Sequence, residues 1–73
     1  MARYPVESEV TGTVWKVEIG VGDSVTEGDV LVILESMKME IPVESPQTGT
    51  VIELLVQPED AVEEDQVVAV VED

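Results

Sequence analysis

The chain contains no cysteine and no histidine. Disulfides and thiolate metal sites are therefore excluded, and imidazole chemistry with them. Phenylalanine is absent as well, and there is one tryptophan and one tyrosine, so no aromatic core can form. Positive charge is scarce: three Lys and Arg stand against 17 Asp and Glu, a formal net charge of −14. Such a field disfavours nucleic acid and anionic membrane surfaces as partners; it acts as a solubility device, reflects adaptation to high salt, or suits a basic docking partner. No apolar run approaches the roughly 20 residues needed to span a bilayer. Met1-Ala2-Arg3 leads into Tyr-Pro-Val-Glu-Ser-Glu with no apolar h-region, which predicts a soluble cytoplasmic protein.

What remains is 73 residues rich in valine, enough for one small domain over 1–73. Branching at Cβ restricts χ1 and suits a pleated surface. With nothing to staple a thin core, stability must come from apolar packing and a complete backbone hydrogen-bond ladder.

The chain repeats itself. Shifted by 37 positions, residues 4–35 lie on 41–72 without a gap. Pro5-Val6-Glu7-Ser8 falls on Pro42-Val43-Glu44-Ser45, and Thr11-Gly12-Thr13-Val14 on Thr48-Gly49-Thr50-Val51. Asp23, Val25, Glu27 and Val30 fall on Asp60, Val62, Glu64 and Val67; 13 of the 32 pairs are identical, which marks a duplication and not chance. Trp15, Val17 and Ile19 alternate with Lys16 and Glu18 and read as the inward face of a half-buried strand, with Ile52, Leu54 and Val56 as counterparts. The stretches 22–29 and 59–66 are turn chemistry around one valine each, which pins the loop to the core. Val30–Leu34 and Val67–Val71 read as strands buried on both faces or nearly so.

Each half thus offers about four short strands: residues 4–8, 12–19, a stub near Val25, and 30–35, with the same pattern 37 residues on. Half a domain cannot cover its own apolar face, whereas two related halves can cover each other's. The expected architecture is a flattened all-β barrel or sandwich of two small sheets with pseudo-twofold symmetry. Gly, Pro and β-branched residues recur at spacings that would break any candidate helix.

The segment Glu35-Ser36-Met37-Lys38-Met39-Glu40 joins the halves, and its counterpart is the gap between Asp73 and Met1. The symmetry therefore predicts a tight hairpin with Lys38 at or beside its tip and the chain termini at the opposite end. The other lysine, Lys16, reads as a solvated outward side chain in a strand. An exposed lysine amine is mostly protonated at neutral pH, so acylation would need an activated donor and a partner that takes the proton. The chain has no nucleophile–base pair of its own, so the domain would be the substrate of that step and not its catalyst. Met37 and Met39 read either as core fillers or as adaptable apolar contacts for a partner. The acids Glu59-Asp60 and Glu63-Glu64-Asp65 lack calcium-loop spacing and read as solvated loops.

Glu35-Ser36-Met37-Lys38-Met39-Glu40 resembles the Ala/Ser-Met-Lys-Met signature of the biotinyl/lipoyl attachment family. Gly22–Gly28 resembles its Gly-Asp-x-Val-x-x-Gly loop, degraded at Glu59–Asp65, and Pro46-Gln47-Thr48-Gly49 resembles the Pro-x-x-Gly after the modified lysine. The resemblance covers essentially the whole chain. It implies a flattened barrel of two four-stranded antiparallel sheets. It also implies that a biotin–protein ligase joins biotin covalently to Lys38, with Met37 and Met39 aiding ligase recognition. The biotin would then carry a carboxyl group between biotin carboxylase and carboxyltransferase sites of a biotin-dependent carboxylase. Two rival readings remain: a lipoyl carrier, against which Met37 and Met39 argue, and an unmodified acidic interaction module. The chain departs from the family in having Ser8-Glu9-Val10-Thr11-Gly12 where many members have Pro-Met-x-Gly, and in lacking the inserted thumb of some carrier subunits. Loss of the loop glycines at Glu59 and Asp65 is expected to change the local turn geometry but not the fold.

Overall fold

A computed structural model describes residues 2–73. Eight strands follow one another: β1 (Arg3–Glu7), β2 (Gly12–Val17), β3 (Ser24–Val25), β4 (Val30–Ser36), β5 (Met39–Glu44), β6 (Gly49–Leu54), β7 (Ala61–Val62) and β8 (Val67–Glu72). They form two four-stranded sheets, ordered β1-β8-β6-β3 and β5-β4-β2-β7, and all pairings are antiparallel. The 37-residue shift turns one order into the other, since β1, β2, β3 and β4 become β5, β6, β7 and β8. The duplication in sequence is thus a twofold in space. Each sheet takes its two inner strands from one half and its two edges from the other, so neither half is complete alone.

The edges explain repeated prolines. Pro5 and Pro42 lie in β1 and β5, both edge strands, where a missing N–H costs no ladder bond on the solvent side. Between the sheets lies a core built almost wholly of valine and leucine, including Val14, Leu31, Val32, Leu34, Val51, Val68 and Val71. Val25 and Val62, the single valines of the two loop regions, are buried in it as expected. Each belongs to a two-residue strand that caps a sheet edge.

Trp15 does not face inward. It is 49% exposed, and Val14 fills the core instead. The cause is a β-bulge: Val14 pairs with Leu34 and Lys16 with Ile33, so Trp15 is an extra residue that flips the alternation. Val17 and Ile19, beyond the bulge, do pack against the core. The counterpart bulge falls at Ile52, between Val51 and Glu53, leaving Ile52 half-buried while Val51 takes the core position. Bulges also explain the apolar runs. Val30 pairs with Glu44 and Val32 with Val43, so the extra Leu31 lets Leu31 and Val32 both reach the core, while Ile33 stays half-buried.

The loops repeat down to single hydrogen bonds. Asp23 and Asp60 each accept from the backbone N–H three residues earlier, Gly20 at 2.8 Å and Gln57 at 2.9 Å. Buried Ser8 and Ser45 each donate to a carbonyl two residues on, Val10 and Gln47, both at 2.6 Å. The missing glycines change the turns less than expected: Gly22 and Gly28 have φ of 97° and 93°, and their counterparts Glu59 and Asp65, at 78° and 70°, stay in the same left-handed region. The surrounding hydrogen bonds, Glu59 N–H to Val14 at 2.7 Å and Asp65 N–H to Ser8 at 2.7 Å, hold the side-chain-bearing residues there.

Candidate functional site

Strands β4 and β5 form a hairpin whose last rungs are Glu35↔Glu40 and Ser36↔Met39. Met37 and Lys38 alone make the turn, with φ of 51° and 67°. Two residues with positive φ are the mark of a type I′ turn, whose twist matches that of the flanking strands. Asn-Gly is the preferred pair at these positions because side chains beyond Cβ strain the left-handed region. The chain instead places a methionine and a lysine there, so turn stability did not dictate the choice.

The hairpin is anchored below its tip. Ser36 Oγ donates to the Thr11 carbonyl at 3.0 Å, tying β4 to the segment before β2. Gly12 lets β2 approach: a Cβ there would sit 2.6 Å from the Glu35 carbonyl oxygen. The Thr-Gly-Thr-Val repeat is therefore a close-approach device, and Gly49 abuts the Glu72 carbonyl in the same way. Gly12, Thr11 and Ser36 are positioning residues that the sequence reading did not single out, although the duplicated Thr-Gly pair was a signal for them.

At the tip every side chain faces solvent. Met37 is 91% exposed, and Lys38 and Met39 are also exposed. Neither methionine is a core filler. Among the described residues, no ion pair or hydrogen bond holds the Lys38 amine. Lys16 differs: its Nζ lies 3.5 Å from Glu18 and 6.0 Å from the Trp15 ring centroid. The two lysines thus separate into a tethered one on a strand and an unencumbered one on a turn.

The termini lie where the twofold puts them. The Ala2 N–H donates to Asp73 Oδ1 at 2.7 Å, the Asp73 N–H donates to the Ala2 carbonyl at 3.1 Å, and Arg3 pairs with Glu72 at 3.2 Å. Strand β1 leaves this end and runs toward Ser8, and the chain reaches the Lys38 end at Thr11. The molecule is elongated, 36 × 19 × 18 Å, with the hairpin and the joined termini at opposite ends.

Such an arrangement can present a primary amine, between two apolar side chains, to the active site of another protein. For amide formation on Lys38 this chain has only to leave the amine open to approach from outside, the activated donor and the proton acceptor coming from another protein.

Comparison with known proteins bears on which acyl group. The family model described as "Biotin-requiring enzyme" matches residues 3–72. "Biotinylated protein TB7.3 homolog" of Mycobacterium leprae (strain TN) is 53% identical over 36 residues, which cover 49% of this chain and 51% of that protein. The matched segment thus spans about half the length of that relative. The crystal structure of Kluyveromyces lactis urea carboxylase superposes with a TM-score of 0.92 at 38% identity, covering 99% of this chain and 6% of the carboxylase. A single-chain, multi-domain long-chain acyl-CoA carboxylase gives a TM-score of 0.87 at 28% identity, over 93% of this chain and 7% of its own.

Proposed function

Because the chain belongs to the biotin/lipoyl attachment family of biotin-requiring enzymes, we propose that it is a single biotinyl domain, residues 1–73, that carries biotin as an amide on Lys38. The observation that carries this reading is the two-residue turn that exposes Lys38 between Met37 and Met39, anchored below its tip by the Ser36–Thr11 hydrogen bond.

The modification is an acyl transfer. The Lys38 amine, once deprotonated by a biotin–protein ligase, attacks the acyl carbon of an adenylated biotin. The new C–N bond replaces the C–O bond to AMP, which leaves. The domain contributes presentation: a type I′ turn that fixes the amine's origin, and two thioether side chains that offer the ligase adaptable apolar contacts. The cytoplasmic location expected from the sequence is compatible with this ATP-consuming reaction. Among the described residues, no helix is long and apolar enough to cross a membrane.

When bound, biotin supplies a ureido nitrogen that takes up and gives back a carboxyl group. Biotin carboxylase and carboxyltransferase partners supply the catalytic groups. The chain's part is to tether: a flexible arm on a rigid support raises the effective concentration of its end at both partner sites. The acidic surface is not used in bond making and suits partners with basic docking faces.

The test is an intact mass spectrum of the chain after incubation with a biotin–protein ligase, ATP and biotin. Addition of one biotin, lost in Lys38→Ala and retained in Lys16→Ala, is the expected result. An unmodified chain beside a ligase active on a control acceptor overturns the reading, and a lipoyl adduct formed by a lipoate ligase in preference to biotin redirects it to a lipoyl carrier.

A further inference from the structure

Beside the hairpin, on the sheet that contains it, lies an open groove of about 330 Å³ bordered by Trp15, Thr13, Glu35, Pro58 and Glu59. Trp15 is the only tryptophan, and the bulge that displaces it from the core leaves it half exposed there. The internal twofold supplies a comparison within the same molecule. At the other end the equivalent positions hold Ile52, Thr50, Glu72, Val21 and Gly22. The indole becomes an isoleucine and the Glu59 carboxylate disappears. At these paired positions a flat aromatic face and a second acceptor stand on the lysine side alone; the terminal end has its own aromatic, Tyr4, but its hydroxyl is tied to Asp73 at 3.0 Å.

We propose that this groove is a resting cradle for the biotin arm of Lys38, an inference that rests on the carrier reading above. The reach is adequate. Glu35 lies two rungs from the turn, at the level of Thr13, and Trp15 is two residues further along β2. At roughly 3.3 Å per strand residue, the groove begins about 7–10 Å from Lys38 and ends about 15 Å away. About ten single and amide bonds separate the Lys38 Cα from biotin's bicyclic ring, which puts the ring roughly 12 Å out when the arm is folded along the sheet.

The chemistry matches the neutral ring. Its ureido group has two N–H donors, and the carboxylates of Glu35 and Glu59 accept hydrogen bonds. The Thr13 hydroxyl can donate to the ureido carbonyl. Trp15 and Pro58 offer apolar surface to the sulfur-containing ring, and sulfur–aromatic contact is favourable. The same two carboxylates repel a ring bearing a negative charge, and the Lys16 ammonium 6.0 Å from the Trp15 centroid is already paired with Glu18 at 3.5 Å, so the balance at the cradle favours the uncharged arm over a charged one.

The test uses the full chain carrying biotinyl-lysine at position 38, made by chemical synthesis, with acetyl-lysine at position 38 as comparator. Acetylation removes the same charge without supplying a ring. Trp15 is the sole indole, so acrylamide quenching of its fluorescence reports its exposure directly. Docking of about half the arms lowers the quenching constant of the biotinyl chain roughly two-fold relative to the acetyl chain. Glu59→Ala combined with Glu35→Ala, which removes both acceptors, returns it toward the comparator, and nuclear Overhauser contacts join the indole to the bicycle only in the biotinyl chain. Equal quenching constants with no such contacts overturn the proposal. Since synthesis installs the biotin, failure of a ligase to modify Lys38 would sink the carrier reading without touching this measurement.

Discussion

Met37 and Lys38 occupy left-handed backbone, a conformation that costs a residue bearing a Cβ about 1–2 kcal/mol relative to the right-handed one. Glu59 and Asp65 occupy it too, at turns whose counterparts are Gly22 and Gly28. The two cases are separable by experiment. Glu59→Gly and Asp65→Gly are each expected to raise unfolding stability by about 0.5–1 kcal/mol, the strain relieved less the entropy of glycine, as read from denaturant midpoints. Met37→Asn with Lys38→Gly is expected to stabilise the domain by about 1 kcal/mol or more while abolishing acylation, which marks the tip as a place where function overrides turn chemistry. A third prediction concerns Asp73. The Ala2 N–H and then the Tyr4 hydroxyl donate to its carboxylate and hold it below the ordinary carboxylate range. A carboxyl group lowered in the folded state adds stability above its unfolded value, near pH 4, and that stability is lost as pH falls further. Asp73→Asn should therefore flatten the acid limb of the stability curve below about pH 4 and leave its shape near neutrality unchanged. The donor side is reciprocal, and Tyr4 is raised by the same bond.

Among elements, the β4–β5 hairpin owes its placement to contacts outside itself. Ser36 is bonded to Thr11, and β2 closes on β4 only because position 12 has no side chain. Gly12→Ala is expected to destabilise the domain by about 1–3 kcal/mol through steric conflict with the Glu35 backbone, measured by thermal or denaturant unfolding. The hairpin and its exposed lysine were legible in the sequence because the duplication left residues 36–40 as the link between two matching halves. The short loop strands were legible because one valine stood alone among turn residues, and Val25 and Val62 are buried. The bulges were not legible. Val14 and Trp15 are both apolar, so either can begin an alternating pattern, and only pairing with β4 shows that Trp15 is the extra residue. The groove beside the hairpin was hidden for the same reason, since a tryptophan assigned to the core cannot border a surface site. The left-handed turns at Glu59 and Asp65 were misread because residue type suggests a different backbone, whereas the tertiary hydrogen bonds to Val14 and Ser8 enforce the same one.

At the scale of the whole molecule, two halves exchange edges. Strands β1 and β3 of the first half border the sheet whose centre is β6 and β8, and β5 and β7 do the reverse. A fragment of residues 1–37 is consequently expected to be unfolded by far-ultraviolet circular dichroism, and an equimolar mixture with residues 38–73 to recover β structure only on association. The exchange also makes the lysine end and the terminal end structurally alike but chemically different. One bears an amine on a closed turn; the other brings Ala2 and Asp73 together by hydrogen bonds. The central claim is that the fold selects Lys38 by holding it at one position of that turn. Exchanging the turn residues, Met37→Lys with Lys38→Met, keeps composition, charge and turn length while moving the amine by one residue. Single-turnover biotinylation followed by intact mass spectrometry is expected to show the exchanged chain modified at least about 100-fold more slowly than the parent, the scale of a misplaced reacting group. Modification of the exchanged chain at the parental rate would contradict the account.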